Sequence, residues 1–221
     1  MQNFETKFIA SNYQAGKIKS WLDLNFKKDP EFPGTYINSI YFDTPKLDFL
    51  NEKDASDHVK SKFRLRWYED LVSGEASAQC FLEMKHKIDK ERFKKREVLD
   101  NHFHDLKLSD PKFYKLFQEF RVFEDKVLEP VFPTYNVKYT RFRYIIPNTD
   151  IRLCIDYNIH TERINSALMK KTIKTTYLDQ CVFELKGSTT LLSSRLMQLE
   201  KFGLKKSAFS KYQRIFLDLL H

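Results

Sequence analysis

Charged and apolar residues alternate along several stretches of this chain with a period of two, the signature of a β-strand rather than a helix. In Lys62-Phe-Arg64-Leu-Arg66-Trp67-Tyr68, the cations Lys62, Arg64 and Arg66 fall on one face and Phe63, Leu65 and Trp67 on the other. Residues 81–87 set Phe81, Glu83, Lys85 and Lys87 against Leu82 and Met84. Residues 139–144 restore a basic face, and 183–186 repeat the mixed one. Taken along the whole chain, strands are predicted at 4–9, 36–42, 62–68, 81–87, 93–98, 131–144, 151–157 and 182–186.

Helices are predicted between some of them. One follows Ser11 as N-cap, with Ile18, Trp21, Leu22 and Leu24 at helical spacing. A short one passes through Leu47 and Leu50, after which 51–59 read as polar connection. Asp110-Pro111 opens a third, with Pro at the first helical position and an apolar stripe of Phe113, Leu116, Phe117, Phe120 and Phe123. Two more are expected, one after Thr189 or Thr190 and one over about 207–220. Residues 27–34 and 70–77 read as loops by composition.

Eight strands that each carry one charged and one apolar face have a joint solution. The sheet curls until the charged faces line a lumen, and helices cover the apolar outside. The expected fold class is therefore α+β (mainly β): an eight-stranded antiparallel β-barrel tunnel with helices packed around the outside, residues 1–221 forming a single domain.

Composition narrows the partners. A formal charge of +8 over 221 residues calls for an anionic partner. Five Gly and seven Pro argue against disorder. Cys80, Cys154 and Cys181 are odd in number, widely separated and set in strand-like runs, which reads as buried free thiols in a reducing, cytoplasmic compartment. The six His form no ligand cluster. The opening Met1-Gln2-Asn3-Phe4-Glu5 is charged at once, unlike a secretory leader, and no apolar run reaches membrane-spanning length.

The expected inner faces collect Lys7, Lys62, Arg64, Arg66, Lys85, Lys94, Arg96, Arg141, Arg143, Arg152 and Lys186, against only Glu5, Glu83, Asp156 and Glu184. So many confined cations need an anion, because desolvation and repulsion otherwise cost several kcal/mol per group. An elongated phosphate chain suits them, since arginine's fork takes phosphate oxygens bidentately. The remaining carboxylates, Glu184 above all, suit a hard divalent cation bridging those oxygens. Duplex nucleic acid would not enter a barrel of this size, and no nucleic-acid-binding signature is present.

The ordered motifs Ile40-Tyr41-Phe42-Asp43-Thr44, Arg64-Leu-Arg66-Trp67-Tyr68, Phe81-Leu82-Glu83-Met84-Lys85, Lys94-Lys95-Arg96, Glu184-Leu185-Lys186 and Ser210-Lys211-Tyr212 resemble those of VTC-domain proteins, the polyphosphate polymerase branch of the triphosphate tunnel metalloenzymes. The resemblance runs from Glu5 to Tyr212. It implies ATP-dependent polyphosphate synthesis with Mn²⁺ or Mg²⁺, and phosphate binding by Lys7, Arg64, Arg66, Lys85, Lys94, Tyr139, Arg141, Arg152, Lys186 and Lys211, with Glu184 as metal ligand. Among these, Arg64, Arg66, Lys85, Arg141 and Arg152 are expected to act on the transferred group, while Lys7, Lys94 and Lys211 guide the chain. Tunnel triphosphatases and cyclases of that superfamily begin with Glu-x-Glu-x-Lys; here the strand reads Asn3-Phe-Glu5-Thr-Lys7, which weakens a hydrolase assignment. Membrane helices and a phosphate-sensing domain, which accompany the eukaryotic polymerases, are not expected in this sequence, so regulation, coupling to export and any membrane-protein partner are not encoded in it. The rival readings are a tunnel triphosphatase, a non-catalytic polyphosphate-binding module, and a basic surface for nucleic acid.

Overall fold

A computed structural model describes residues 4–55, 59–88, 91–119, 130–169, 175–188 and 194–220. The chain begins with β1 (Phe4–Ser11), then α1 (Ala15–Asn25), β2 (Lys27–Lys28), β3 (Gly34–Asp43) and α2 (Asp48–Ala55). Next come β4 (Val59–Glu69), β5 (Gln79–Ile88), β6 (Glu91–Asp100) and α3 (Pro111–Glu119). The second half holds β7 (Phe132–Ile145), β8 (Arg152–Thr161), β9 (Thr176–Tyr177), β10 (Gln180–Gly187), α4 (Ser194–Met197), β11 (Lys205–Lys206) and α5 (Lys211–Leu220).

All eight expected strands form, and the class is α+β, mainly β. The expected closed eight-stranded barrel is corrected. Among the described residues eleven strands form, and their hydrogen-bonded order, β11-β1-β10-β8-β7-β3-β4-β5-β6, is an open path with β2 added to β7 and β9 to β8. Both ends are chemically blunted. β11 is two exposed lysines, and the described side chains of β6 include exposed Lys94, Lys95 and Arg96, the kind of charge that discourages further strand pairing.

The short strands β2, β9 and β11 carry no alternation long enough to register in sequence. Helix α2 covers 51–55, which read as polar connection. Its start is fixed by the buried Asp43, whose carboxylate accepts from the N–H groups of Phe49 and Leu50, and by Thr44, whose hydroxyl oxygen accepts from Asp48 N–H. Ser11 caps a 3₁₀ turn at Asn12–Gln14 rather than α1 itself. Helix α5 begins at Lys211 instead of 207, because Ser207 N–H is taken by the Lys7 carbonyl of β1. Phe120, Phe123, Thr189 and Thr190 lie outside the described residues.

The chain divides into two compact units. The first comprises Met1–Tyr36, Lys138–His160 and Tyr177–His221, and the second Ile37–Val137 and Thr161–Thr176. In the first, α1 and the segment 196–204 cover one face of β1, β10, β8 and β7. Ile18, Leu22, Tyr144, Leu153, Ile155, Phe183 and Leu185 are buried there. In the second, Phe63, Leu65 and Trp67 of β4 and Leu82 and Met84 of β5 pack with Phe42, Phe113 and Leu116. Each such large side chain contributes about 1.5–3 kcal/mol by leaving water. In both units the apolar half of the alternation is buried as the sequence requires, which leaves the charged half on the opposite face. The three cysteines are buried and free.

Candidate phosphate-binding sites

In the first unit the strand register builds the charged face row by row. Lys7, Glu184, Cys154 and Arg143 stand in line across β1, β10, β8 and β7. Glu5, Lys186 and Arg152 form the next row, and Asp156 faces Arg141 in the row on the other side. A bulge at 138–140 places the extra residue on β8, where Asn158 takes φ 51° and exchanges hydrogen bonds with Asn12.

Two carboxylates organise this face. Asp156 is fully buried and accepts from Arg141 Nε at 2.5 Å and Nη2 at 2.6 Å, a bidentate pair. Lys211, delivered by the first turn of α5, reaches it at 2.6 Å. Glu184, 3 % exposed, lies 3.1 Å from Arg141 Nη2, 3.1 Å from Lys186, 3.6 Å from Lys211 and 3.8 Å from Lys7. Burial by itself would raise the pKa of Glu184. The charges of Arg141, Lys211, Lys186 and Lys7 override that and hold it well below the usual carboxylate range. Asp156 is lowered in the same way, by Arg141 and Lys211 against its own burial. Tyr139, buried on β7, stacks beneath two of these cations, 4.7 Å from Lys211 and 5.5 Å from Arg141. Lys7 and Lys186 also reach Glu5, at 3.3 and 3.9 Å. Four cations therefore meet three acids, a closer balance than the sequence suggested.

In the second unit the balance is different. Arg64, Glu83 and Arg96 stand in one row across β4, β5 and β6, and Lys62, Lys85 and Lys94 in the next. Glu83, 4 % exposed, is the meeting point of three guanidiniums. It takes Arg64 Nη2 at 2.5 Å, Arg96 Nε at 3.6 Å and Arg66 Nη1 at 3.7 Å. Burial would raise its pKa; Arg64 and Arg66, with help from Arg96, bring it down to about 2 instead. Arg66 Nε also donates to Ser39 of β3, and Arg96 lies 3.7 Å over the Phe81 ring. Tyr41 on β3 is buried beside these groups. Despite burial, Arg64, Lys62 and Arg66 pull its hydroxyl down to about 8.

The expected residues thus separate into two groups. Lys7, Tyr139, Arg141, Lys186, Lys211 and Glu184 come together in the first unit. Arg64, Arg66, Arg96, Lys62, Lys85 and Lys94 come together in the second. Two stand apart. Arg143 directs its guanidinium to the Phe32 carbonyl at 3.3 Å, and Arg152 is exposed beside Lys186. The sequence did not single out Glu83 as the centre of an arginine fan, nor Ser39 and Tyr41 as its neighbours. The signal was the alternation in Ile37-Asn-Ser39-Ile40-Tyr41-Phe42, which sets Ser39 and Tyr41 opposite the core residues Ile40 and Phe42.

No cluster of three or more His, Cys, Asp or Glu able to hold a metal ion occurs among the described residues. A cation caged by the protein does not fit. A hard cation held by one or two carboxylates and completed by phosphate oxygens and water does fit the donors present. Glu184 is ionised and is met by Arg141, Lys186, Lys211 and Lys7.

A family model described as the VTC domain matches residues 2–217. No functionally curated protein matches the chain. Among solved structures, the fold is similar to the PH1819 protein of Pyrococcus horikoshii OT3, at TM-score 0.54 and 15 % identity over 99 % of this chain and 98 % of that one. It is also similar to a candidate adenylyl cyclase, HpAC1 of Hippeastrum, whose dominant activity is described as triphosphatase, at 0.57 and 16 % over 98 % and 96 %. A candidate adenylate cyclase of Bacillus halodurans gives 0.57 and 15 % over 98 % and 100 %. At these identities the likeness establishes the fold alone. No helix among the described residues is long and apolar enough to cross a membrane.

Proposed function

The chain belongs to the VTC-domain family, and from that premise we propose that it is an ATP-dependent polyphosphate polymerase, moving the ATP γ-phosphoryl group onto the end of a growing polyphosphate chain. The observation that carries this reading is the face of β4–β6, where Arg64, Arg66 and Arg96 converge on Glu83 and Lys62, Lys85 and Lys94 stand in the next row. A linear phosphate chain supplies the negative charge such a face calls for.

Phosphoryl transfer asks for positioning and charge neutralisation more than for covalent chemistry from the protein. In the second unit, Arg64, Arg66 and Lys85 are assigned to the phosphate oxygens. Glu83 holds the arginine forks in place, so little side-chain entropy is lost when phosphate arrives. In the first unit, Lys7, Arg141, Arg152, Lys186 and Lys211 are assigned to phosphate oxygens on that unit's own charged face. A terminal oxygen of polyphosphate attacks the γ-phosphorus, the bond to the β–γ bridging oxygen breaks, and ADP leaves. Glu184 would hold Mn²⁺ or Mg²⁺, which when bound would supply charge neutralisation for phosphoryl transfer.

The test is incubation of purified protein with ATP and Mn²⁺ or Mg²⁺, followed by electrophoretic sizing of the product. Long polyphosphate together with ADP supports the proposal. Free phosphate alone would make the protein a triphosphatase, and tight binding without turnover a polyphosphate-binding module.

A further inference from the structure

Asp156 of β8 differs from the other acids of the first unit in how its oxygens are used. The register sets it between Arg141 of β7 and the apolar Val182 of β10, so its cationic partners come from β7 and from the first turn of α5. Oδ1 accepts from Arg141 Nε at 2.5 Å, while Oδ2 accepts from Arg141 Nη2 at 2.6 Å and meets Lys211 at 2.6 Å. Glu184 is held more loosely, at 3.1 Å or more from all four of its cations. Asp156 is fully buried and both of its oxygens are engaged at short distance. That leaves it to hold side chains rather than to meet a ligand.

The side chains it holds are aimed by that grip. A guanidinium is a planar fork of N–H donors. In Arg141, Nε and Nη2 are taken up by Asp156 and Glu184, whereas Nη1 donates to no described residue. The bidentate pair fixes the guanidinium plane, and with it the direction of that open edge. Lys211 is pinned by the same carboxylate, and the Tyr139 ring lies against both cations. We propose that Asp156 is a positioning residue: it presents Arg141 Nη1 and Lys211 to phosphate without touching the phosphate itself. A mobile arginine and lysine would lose side-chain freedom on meeting an anion; here that freedom is already lost on folding. The inference rests on the phosphate reading of this face and adds to it the group that sets its geometry.

Charge alone and positioning predict opposite signs. Removing an acid from a cationic face raises the local positive potential and should tighten the binding of an anion. Removing the group that aims Arg141 should weaken it. The experiment titrates wild type, Asp156→Asn and Glu5→Gln with tripolyphosphate in the presence of a chelator. Binding is followed at the isotope-labelled Cζ of Arg141, whose resonance is assigned by its loss in Arg141→Lys and reports this face. Asp156→Asn should bind about tenfold more weakly, the effect of freeing two long side chains. Glu5→Gln removes an acid that meets Lys7 and Lys186 instead, and should bind as tightly as wild type or more tightly. Rotation about the Arg141 Nε–Cζ bond, hindered in wild type, should become fast in Asp156→Asn and merge the Nη1 and Nη2 resonances. Should Asp156→Asn fail to fold, Lys211→Met and Lys211→Met/Asp156→Asn read the effect through Arg141 alone, the double variant losing one charge of each sign. The double variant should bind several-fold more weakly than Lys211→Met. Equal or tighter binding in Asp156→Asn, or in the double variant relative to Lys211→Met, would overturn the assignment and leave the phosphate reading standing. A wild-type protein that binds no tripolyphosphate at this face would overturn both.

Discussion

Replacing Glu83 with Gln removes one charge from the point where Arg64, Arg66 and Arg96 meet, while keeping the side chain's shape. The Glu83 carboxyl sits at about 2 instead of 4.5, a displacement that corresponds to roughly 3 kcal/mol of stabilisation of its ionised form. Arg96 is 39 % exposed, so its share is screened by solvent, and the expected loss on substitution is about 2–3 kcal/mol. The sign against pH follows from the direction. A carboxyl whose folded-state pKa is depressed contributes fully above 4.5, and the contribution disappears as the pH falls towards 2. Urea denaturation in phosphate-free buffer at pH 7 should therefore show the variant weaker by that amount, and the gap between the proteins should narrow below pH 4.5. Tripolyphosphate should also narrow it, because an anion on the arginine fan replaces the missing charge and stabilises the folded state by mass action. A loss under about 0.5 kcal/mol, or a gap that neither acid nor tripolyphosphate reduces, would refute the hub.

The opposite face of the same strand behaves as core: Phe63→Ala, at a position 1 % exposed, should cost about 3–5 kcal/mol in the same denaturation assay without weakening phosphate binding in the protein that remains folded. Glu184→Gln should abolish most metal-dependent turnover of ATP while tripolyphosphate still binds in the presence of a chelator; full activity would remove Glu184 as the metal ligand. Tyr41 should ionise with a midpoint of about 8 by ultraviolet absorbance, its contribution to stability complete above pH 10 and lost as the pH falls through 8. Saturating tripolyphosphate should move that midpoint upward by neutralising the arginines, and Tyr41→Phe should abolish the transition; a midpoint near 10 that ignores the anion would place Tyr41 outside the site.

Period-two alternation made much of this architecture legible. Phe63, Leu65 and Trp67 are buried and Lys62, Arg64 and Arg66 share the other face because a strand has no other way to sort them. The same logic located Lys7, Arg141 and Lys186. Closure of the sheet was not legible, since alternation fixes which face is charged but not whether the outer strands meet; β11 is two residues long and leaves no periodic trace. Helix α2 was missed beyond Leu50 because its start depends on Asp43, six residues before Phe49 and already inside β3. At the sites, cations were easy to find and their partners were not. Asp156 and Glu83 look like ordinary acids in a strand, and only the register shows that each meets two or more cations at once. Arg143 shares the alternation of Arg141, yet donates to the Phe32 carbonyl, because side-chain direction along a row is not fixed by periodicity.

The proposed function has both clusters bind linear phosphate, and competition between anions under salt tests that proposal most directly. Thermal melts should be recorded with tripolyphosphate and, separately, with duplex DNA, while sodium chloride is raised. Cations as shielded as Arg66 and Lys211, 11 % and 10 % exposed, are screened less than surface charges. Tripolyphosphate should therefore still raise the melting temperature at salt concentrations that abolish DNA binding. Salt-resistant binding of DNA with no thermal shift from tripolyphosphate would contradict the account.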